Sequence, residues 1–454
     1  MDYTNLNQKL DEMKDEIIAG IRESIQIPSV KSAPMENAPY GTGPKNALEH
    51  ALKLGEQLGF QVKNVDDRAG WVEFGEGEEM VGVLGHLDVV PAGAEGWDYP
   101  AFGGEIHDGI MYGRGVLDDK GPTVGAIYAL KAIRDLELPI NKRIRVIFGT
   151  DEESGSSCIR HYVESGEEIP SIGFTPDAEF PLIFFEKGMT VLIAGRKQAE
   201  QGRIRVLEFQ GGTAPNIVME KCRLVLEGIH EIPHKEHIIV STKDGNTVIE
   251  AEGIGAHGSK PELGVNAAVL LLEAVKDIEI GGTFQQVRDF ILDQVGKETN
   301  GETLGILYQD EETGETTVNL GMIGQKEGEF YFTLDIRYPK NGEHDRVYNN
   351  LADILTKYGL EVLHHDTVDP LYMPKDSELV RKLMKVYREL TGRDEEPLAI
   401  GGGTYAKMLP NMVAFGPAFA WNADVIHKPN ERVLAEELIL SIKLIADAMV
   451  ELAQ

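Results

Sequence analysis

Histidine and acidic side chains recur in this chain where apolar runs end. The run MVGVLGHLDVV at 80–90 closes on His86 and Asp88. Two residues apart in an extended segment, they point to one side. Taken alone, the pair is also what a core histidine bonded to a neighbouring carboxylate looks like. A second run, RIRVIF at 143–148, leads into Asp151, Glu152 and Glu153, and three adjacent acids repel one another unless a solvated turn or a bound cation relieves them. A third, at 171–174, reaches Asp177 and Glu179; a glycine-dense loop at 113–121 carries Asp118, Asp119 and Lys120; and DVIHKPNE near the end adds His427. One such carboxylate is surface decoration, but several at one sheet edge point to a cation site. Imidazole mixed with carboxylates suits zinc, cobalt or manganese, whereas calcium takes oxygen alone. His86, Asp118, Glu153, Asp177 and His427 are enough for two ions if one carboxylate bridges them. Such a pair, about 3.5–4 Å apart, activates a shared water and clamps a scissile carbonyl.

Those residues need a scaffold that brings strand ends together. The valine- and leucine-rich run bounded by Gly82 and Gly85 reads as a strand buried on both faces, and open α/β sheets bind ligands at the carboxyl ends of their strands. Leu6, Leu10, Met13, Ile17, Ile18 and Ile21 predict one opening amphipathic helix. Further helices are expected over 47–58, stopping at Gly59, and from near Pro122. Past 186–188 the texture changes to polar-apolar alternation at 190–193, 220–226, 247–252 and 329–336, as in antiparallel strands with one wet face. Helices are expected over 264–275 and 344–358. From 371 the first texture returns, with helices at 377–390 and 435–452. The expectation is an α/β protein: a discontinuous catalytic domain, residues 1–186 and 371–454, with an inserted second domain at 187–370.

Composition narrows the partners. The 454 residues allow two or three domains. With 44 Lys and Arg against 75 Asp and Glu, the net charge is −31, which disfavours nucleic acid and anionic membrane. Cys158 and Cys222 are too few for a disulfide framework and fit a reducing compartment. The first 25 residues carry acids throughout, unlike a secretory signal or transit peptide, and no apolar run reaches membrane-spanning length. A cytoplasmic location is expected.

The motifs GHLD at 85–88, GRGVLDDKG at 113–121, DEESG at 151–155, PDAE at 176–179 and GAHGS at 255–259, in this order along nearly the whole chain, resemble the M20 family of zinc peptidases, and within it the PepV-type bacterial dipeptidases. The resemblance implies that the catalytic domain is a mixed sheet flanked by helices, that the insertion is an enlarged α+β lid domain, and that the site is a two-zinc centre, with cobalt or manganese as possible substitutes. In it Asp118 bridges, His86 and Asp177 hold one ion, and Glu153 and His427 hold the other. It also implies a cis peptide between Asp118 and Asp119, with Glu152 as general base. A carboxylate beside a ligand but free itself can take the proton of the attacking water and deliver it to the leaving amine. Asp88, beside His86 rather than on the metal, would hold the imidazole tautomer.

In the resembled dipeptidases a histidine matching His257 stabilises the oxyanion, and an arginine matching Arg337 binds the substrate's terminal carboxylate; both roles suit these side chains. Asn216 resembles a substrate-facing lid residue, and Gly402, Gly403 and Thr404, in the run GGGTY, could offer backbone N–H groups to a carboxylate. A lid of about 180 residues that supplies its own histidine implies a monomer acting on a small molecule. The leading expectation is dipeptide hydrolysis. The alternatives are an M20 deacylase acting on N-acyl or N-succinyl amino acids, and a binding protein that kept the scaffold.

Overall fold

The computed structural model describes residues 2–326 and 328–454, and the chain divides into two compact units. The first comprises residues 1–185, 372–398 and 403–454, the second 186–371 and 399–402.

The first unit is built on a mixed sheet. Its centre is parallel: Arg143–Gly149 beside Met80–His86, then Ile172–Thr175, then Met412–Ala414. Ala69–Phe74 and Gln61–Val65 continue outward as antiparallel strands. Every residue of Met80–His86 is buried, as expected of a strand covered on both faces. Helices Lys120–Asp135 and Ala435–Ala453 pack together with Gly125 against Ile442, where a Cβ would lie 2.5 Å from the isoleucine Cγ1. The expected single opening helix is two, Thr4–Glu12 and Lys14–Ile25, broken at Met13. Leu6, Leu10, Met13, Ile17 and Ile21 nevertheless all join one core, because the apolar spacing records the buried face and not the break.

The second unit carries a wholly antiparallel sheet, eight-stranded among the described residues. Its order is Ile238–Lys243, Asn246–Glu252, Lys221–Leu226, Val206–Gly211, Thr317–Lys326, Glu329–Tyr338, Gly188–Arg196, Glu361–Val368. Helices Ala267–Ala274, Gly282–Phe290 and His344–Lys357 bury apolar side chains with it. Asn266 caps the first of these by accepting from the Ala268 N–H at 3.0 Å.

Candidate active site

Three neighbouring parallel strands end at one edge, and each passes directly into site residues. Met80–His86 ends on His86 itself, paired with Gly149. Arg143–Gly149 leads to residues 151–153, and Ile172–Thr175 to Asp177. Asp118 stands just before helix Lys120–Asp135, and His427 before strand Arg432–Leu434. The Asp118–Asp119 peptide is cis.

Asp118 is the centre of the cluster. Its Oδ1 lies 2.9 Å from His86 Nε2 and its Oδ2 2.7 Å from His427 Nε2. His427 Nε2 is also 3.1 Å from Glu153 Oε1, and His86 Nε2 is 3.6 Å from Asp177 Oδ1. Ligand atoms of His86, Asp118 and Glu153 lie within 4.8 Å of one another, and so do those of His86, Glu152 and Asp177. Nitrogen and oxygen ligands at about 2.0–2.1 Å around a tetrahedral ion are themselves about 3.3 Å apart. The spacing and the donor set therefore fit a divalent metal, and a carboxylate facing a different imidazole with each oxygen fits a bridge between two.

Electrostatics lead to the same place. Burial, then the nearby Asp177 charge, pushes Glu152 and Asp119 well above the ordinary carboxylate range. Burial also raises Asp177 to about 6. Burial would lower His86, but Asp177, Asp118 and Asp88 outweigh it and raise it well above its usual value. Hydrogen bonds to Asp118 and Glu153 raise His427 to about 10. Against its burial, those two imidazoles hold Asp118 low. So much negative charge in one buried place demands positive charge, which a divalent cation supplies. The three consecutive acids divide the problem: Asp151 pairs with Lys31 at 2.6 Å, Glu153 faces His427, and Glu152 is left beside His86 and Asp177.

Asp88 does not act through simple strand alternation, because the strand ends at His86. The His86 ring is held by its Nδ1–H, which donates to the Asp88 backbone carbonyl at 3.0 Å and turns Nε2 towards Asp118. The Asp88 carboxylate is 3.6 Å from Nδ1 and accepts the backbone N–H groups of Glu152 and Glu153 at 3.0 and 3.1 Å. It thus fixes the turn that aims both glutamates. Asp88→Ala should weaken metal affinity or activity by about 10–100-fold, measured by competition with a chromophoric chelator and by turnover; wild-type values for both would contradict this role.

Several residues support the site through contacts that the sequence does not announce. Tyr405 lies edge-on to His86 with ring centroids 6.0 Å apart, and its hydroxyl is 3.2 Å from Cys158 Sγ. A Cβ on Gly85 would stand 2.0 Å from Thr123 Oγ1 and 2.7 Å from Asp119 Oδ2. The glycine is what admits Asp119, whose Oδ2 accepts the His86 N–H at 3.2 Å. Lys120 is buried and donates to the Ser24 and Ile27 carbonyls; burial lowers it to about 7.

The second unit gathers a different set. His257 is exposed, and its Nδ1 accepts the Ser259 N–H at 3.2 Å and lies 2.7 Å from Ser259 Oγ. A ring nitrogen that accepts carries no proton, so the hydrogen sits on Nε2. Partial burial and the Arg337 charge lower its pKa, which favours the neutral donor. Asn216 is next to it: Ile217 bridges His257, and the Gly258 N–H donates to the Asn216 carbonyl at 2.7 Å. Asn319 clamps that segment from behind, donating to the Pro215 and Ile217 carbonyls at 2.7 and 3.1 Å. Arg337 is buried; its Nε and Nη2 hold Asp335, and its Nη1 donates to the Gly401 carbonyl at 2.7 Å. Gly402 follows in the same unit, while Gly403 and Thr404 belong to the first. There Thr404 Oγ1 accepts the Ala406 N–H at 3.2 Å and caps a short 3-10 turn.

Comparison with known proteins agrees with this architecture. The profile of peptidase family M20/M25/M40 matches residues 82–451. A Bacillus subtilis protein named "Putative dipeptidase YtjP" is 36% identical over 462 residues, covering 97% of this chain and 98% of the relative. "Putative dipeptidase SH1171" of Staphylococcus haemolyticus is 34% identical over 465 residues, covering 98% of each. Among solved structures, human carnosine dipeptidase 1 superposes with a TM-score of 0.61 at 17% identity, over 100% of this chain and 99% of that one. The Saccharomyces cerevisiae di-peptidase Dug1p gives 0.62 at 15% identity, over 100% and 98%. At such identities these two likenesses speak for the fold. Matched over most of its length by the family profile and over nearly all of it by these relatives, the chain belongs to peptidase family M20/M25/M40.

Proposed function

We propose that this protein is a two-metal dipeptidase, with zinc as the resident ion. The observation that carries the reading is Asp118, whose two oxygens face His86 and His427 while Glu152 stands beside the same cluster. His86 and Asp177 would hold one ion, Glu153 and His427 the other, and Asp118 both. When bound, the pair lowers the pKa of a water and polarises the scissile carbonyl.

The chain's own groups do the rest. Glu152, beside His86 and Asp177, takes the proton of the attacking water. As the C–N bond breaks it returns that proton to the leaving amine nitrogen. His257 Nε2–H donates to the oxygen that gains charge. Arg337, oriented by Asp335, binds the substrate's terminal carboxylate, and Asn216 and the backbone of Gly402, Gly403 and Thr404 contact the substrate. These roles require the second unit to act as a lid closing over a substrate held by the first. With the lid residues supplied from within, the protein acts as a monomer, and its free cysteines, Cys158 and Cys222, fit a cytoplasmic location.

A panel of unmodified dipeptides, tripeptides and N-acetyl amino acids tests this reading. Dipeptides should be hydrolysed and the other two classes spared, by a species whose solution mass is that of one chain. Activity confined to N-acyl amino acids would make the protein a deacylase, and a dimeric mass would place the lid histidine in doubt.

A further inference from the structure

Glu431 does no chemistry in the reaction above, yet it is placed as though the metal centre depended on it. It is 0% exposed. Its Oε1 accepts three backbone N–H groups, from Gly115 at 3.1 Å, Leu117 at 3.0 Å and Asp118 at 3.3 Å. Its Oε2 accepts from Arg114 Nη1 at 2.6 Å, and Arg114 is 1% exposed. The backbone is tied as well, since the Gly113 N–H donates to the Glu431 carbonyl at 3.0 Å. One side chain therefore shapes the whole 113–118 loop and ends on the amide of Asp118.

The same residue lies four positions after His427, on a segment that needs holding. His427 and Asn430 adopt positive φ values of 63° and 62°, a conformation non-glycine residues enter only when their surroundings enforce it. The His427 side chain is 51% exposed, whereas His86 is fully buried at the end of a central strand. The two imidazoles facing Asp118 are thus secured differently: one by the sheet, the other by a loop anchored at Glu431.

We infer that Glu431, paired with Arg114, is a positioning residue that couples the Asp118 loop to the His427 loop and so builds the outer of the two ion sites. The inner site, with His86 ending one sheet strand and Asp177 two residues past the end of another, depends on it less. This inference rests on the two-metal reading. Its prediction is an unequal loss: without the clamp, one ion stays bound and the other weakens.

The test uses the full chain and two double variants. In Glu431→Leu with Arg114→Met both charges are replaced together, so neither is left buried and unpaired. In Glu431→Gln with Arg114→Met an amide oxygen remains to accept the three N–H groups. Metal per chain is measured after gel filtration, and stripped protein is titrated with cobalt(II) while its visible absorption is followed. The wild type should take up two ions. The leucine variant should bind the first with near wild-type affinity and the second about 10–100-fold more weakly, with the absorption of the second altered. The glutamine variant should recover part of that loss. Two ions at wild-type affinity in the leucine variant would overturn the inference. So would equal weakening of both ions, or failure of both variants to fold, either of which would make the clamp a general structural element. A wild-type protein that binds fewer than two ions would instead refute the metal reading itself.

Discussion

Replacing Glu152 by glutamine is expected to slow dipeptide hydrolysis by about 10²–10⁴-fold while the protein keeps its metal. The separation of the two effects follows from where Glu152 sits. Its neighbour Glu153 faces His427 at 3.1 Å, and Asp118 faces both imidazoles. Glu152 lies beside His86 and Asp177 but is not needed to join the two histidines. Glutamine preserves its size and the backbone N–H that donates to Asp88, so the turn survives and only the proton acceptor is lost. Initial rates on a good dipeptide substrate, with metal analysis of the same sample, check the prediction. Undiminished turnover would remove Glu152 from the mechanism, and loss of metal alongside activity would make it a ligand.

Asp118→Ala should instead abolish metal binding and activity together. Among the described site residues it is the one carboxylate within 3 Å of both His86 and His427, and no neighbour can take over both contacts. Ligand binding also stabilises a fold, by about 4 kcal/mol when the free ion is at 1,000 times its dissociation constant. Added zinc should therefore raise the melting temperature of stripped wild-type protein and leave that of the variant nearly unchanged. A variant that still binds two ions and responds to zinc would show that the cluster is not organised around Asp118.

Much of this was legible in the sequence because strand ends and acids coincide there. Met80–His86 is so apolar that only a strand covered on both faces accounts for it, and the acids following two of its neighbours in the sheet had to meet at one edge once those strands ran parallel. That helices cover this sheet was likewise readable from apolar spacing. What spacing cannot show is how side chains are tied after the chain turns. The Asp88 carboxylate could be placed beside the His86 ring, and it lies 3.6 Å from Nδ1; that it also accepts the amides of residues 152 and 153, more than sixty positions away, could not be read. Lys31, the partner of Asp151, is 120 residues distant.

Glu431 was harder still. An acid in HKPNE looks like any surface acid, and only burial beside the 113–118 loop reveals its purpose. Strands were missed for a related reason: Ile238–Lys243 is a mostly exposed edge with little alternation to read. Thr317–Lys326 is nearly all buried in its first eight positions, so its apolar and polar residues do not alternate between faces. The neutral Nε2–H tautomer of His257 depends on the Ser259 N–H, a contact that no residue type announces.

If a pair of ions on five side chains drives peptide hydrolysis, a metal titration of the stripped protein will show it. Zinc is added in fractions of an equivalent, and both bound metal and dipeptide turnover are recorded at each step. Tight uptake of two ions per chain is expected, with turnover negligible in the stripped protein and complete once the second equivalent is bound. Hydrolysis at full rate in the metal-free protein, or saturation at a single ion, would contradict it.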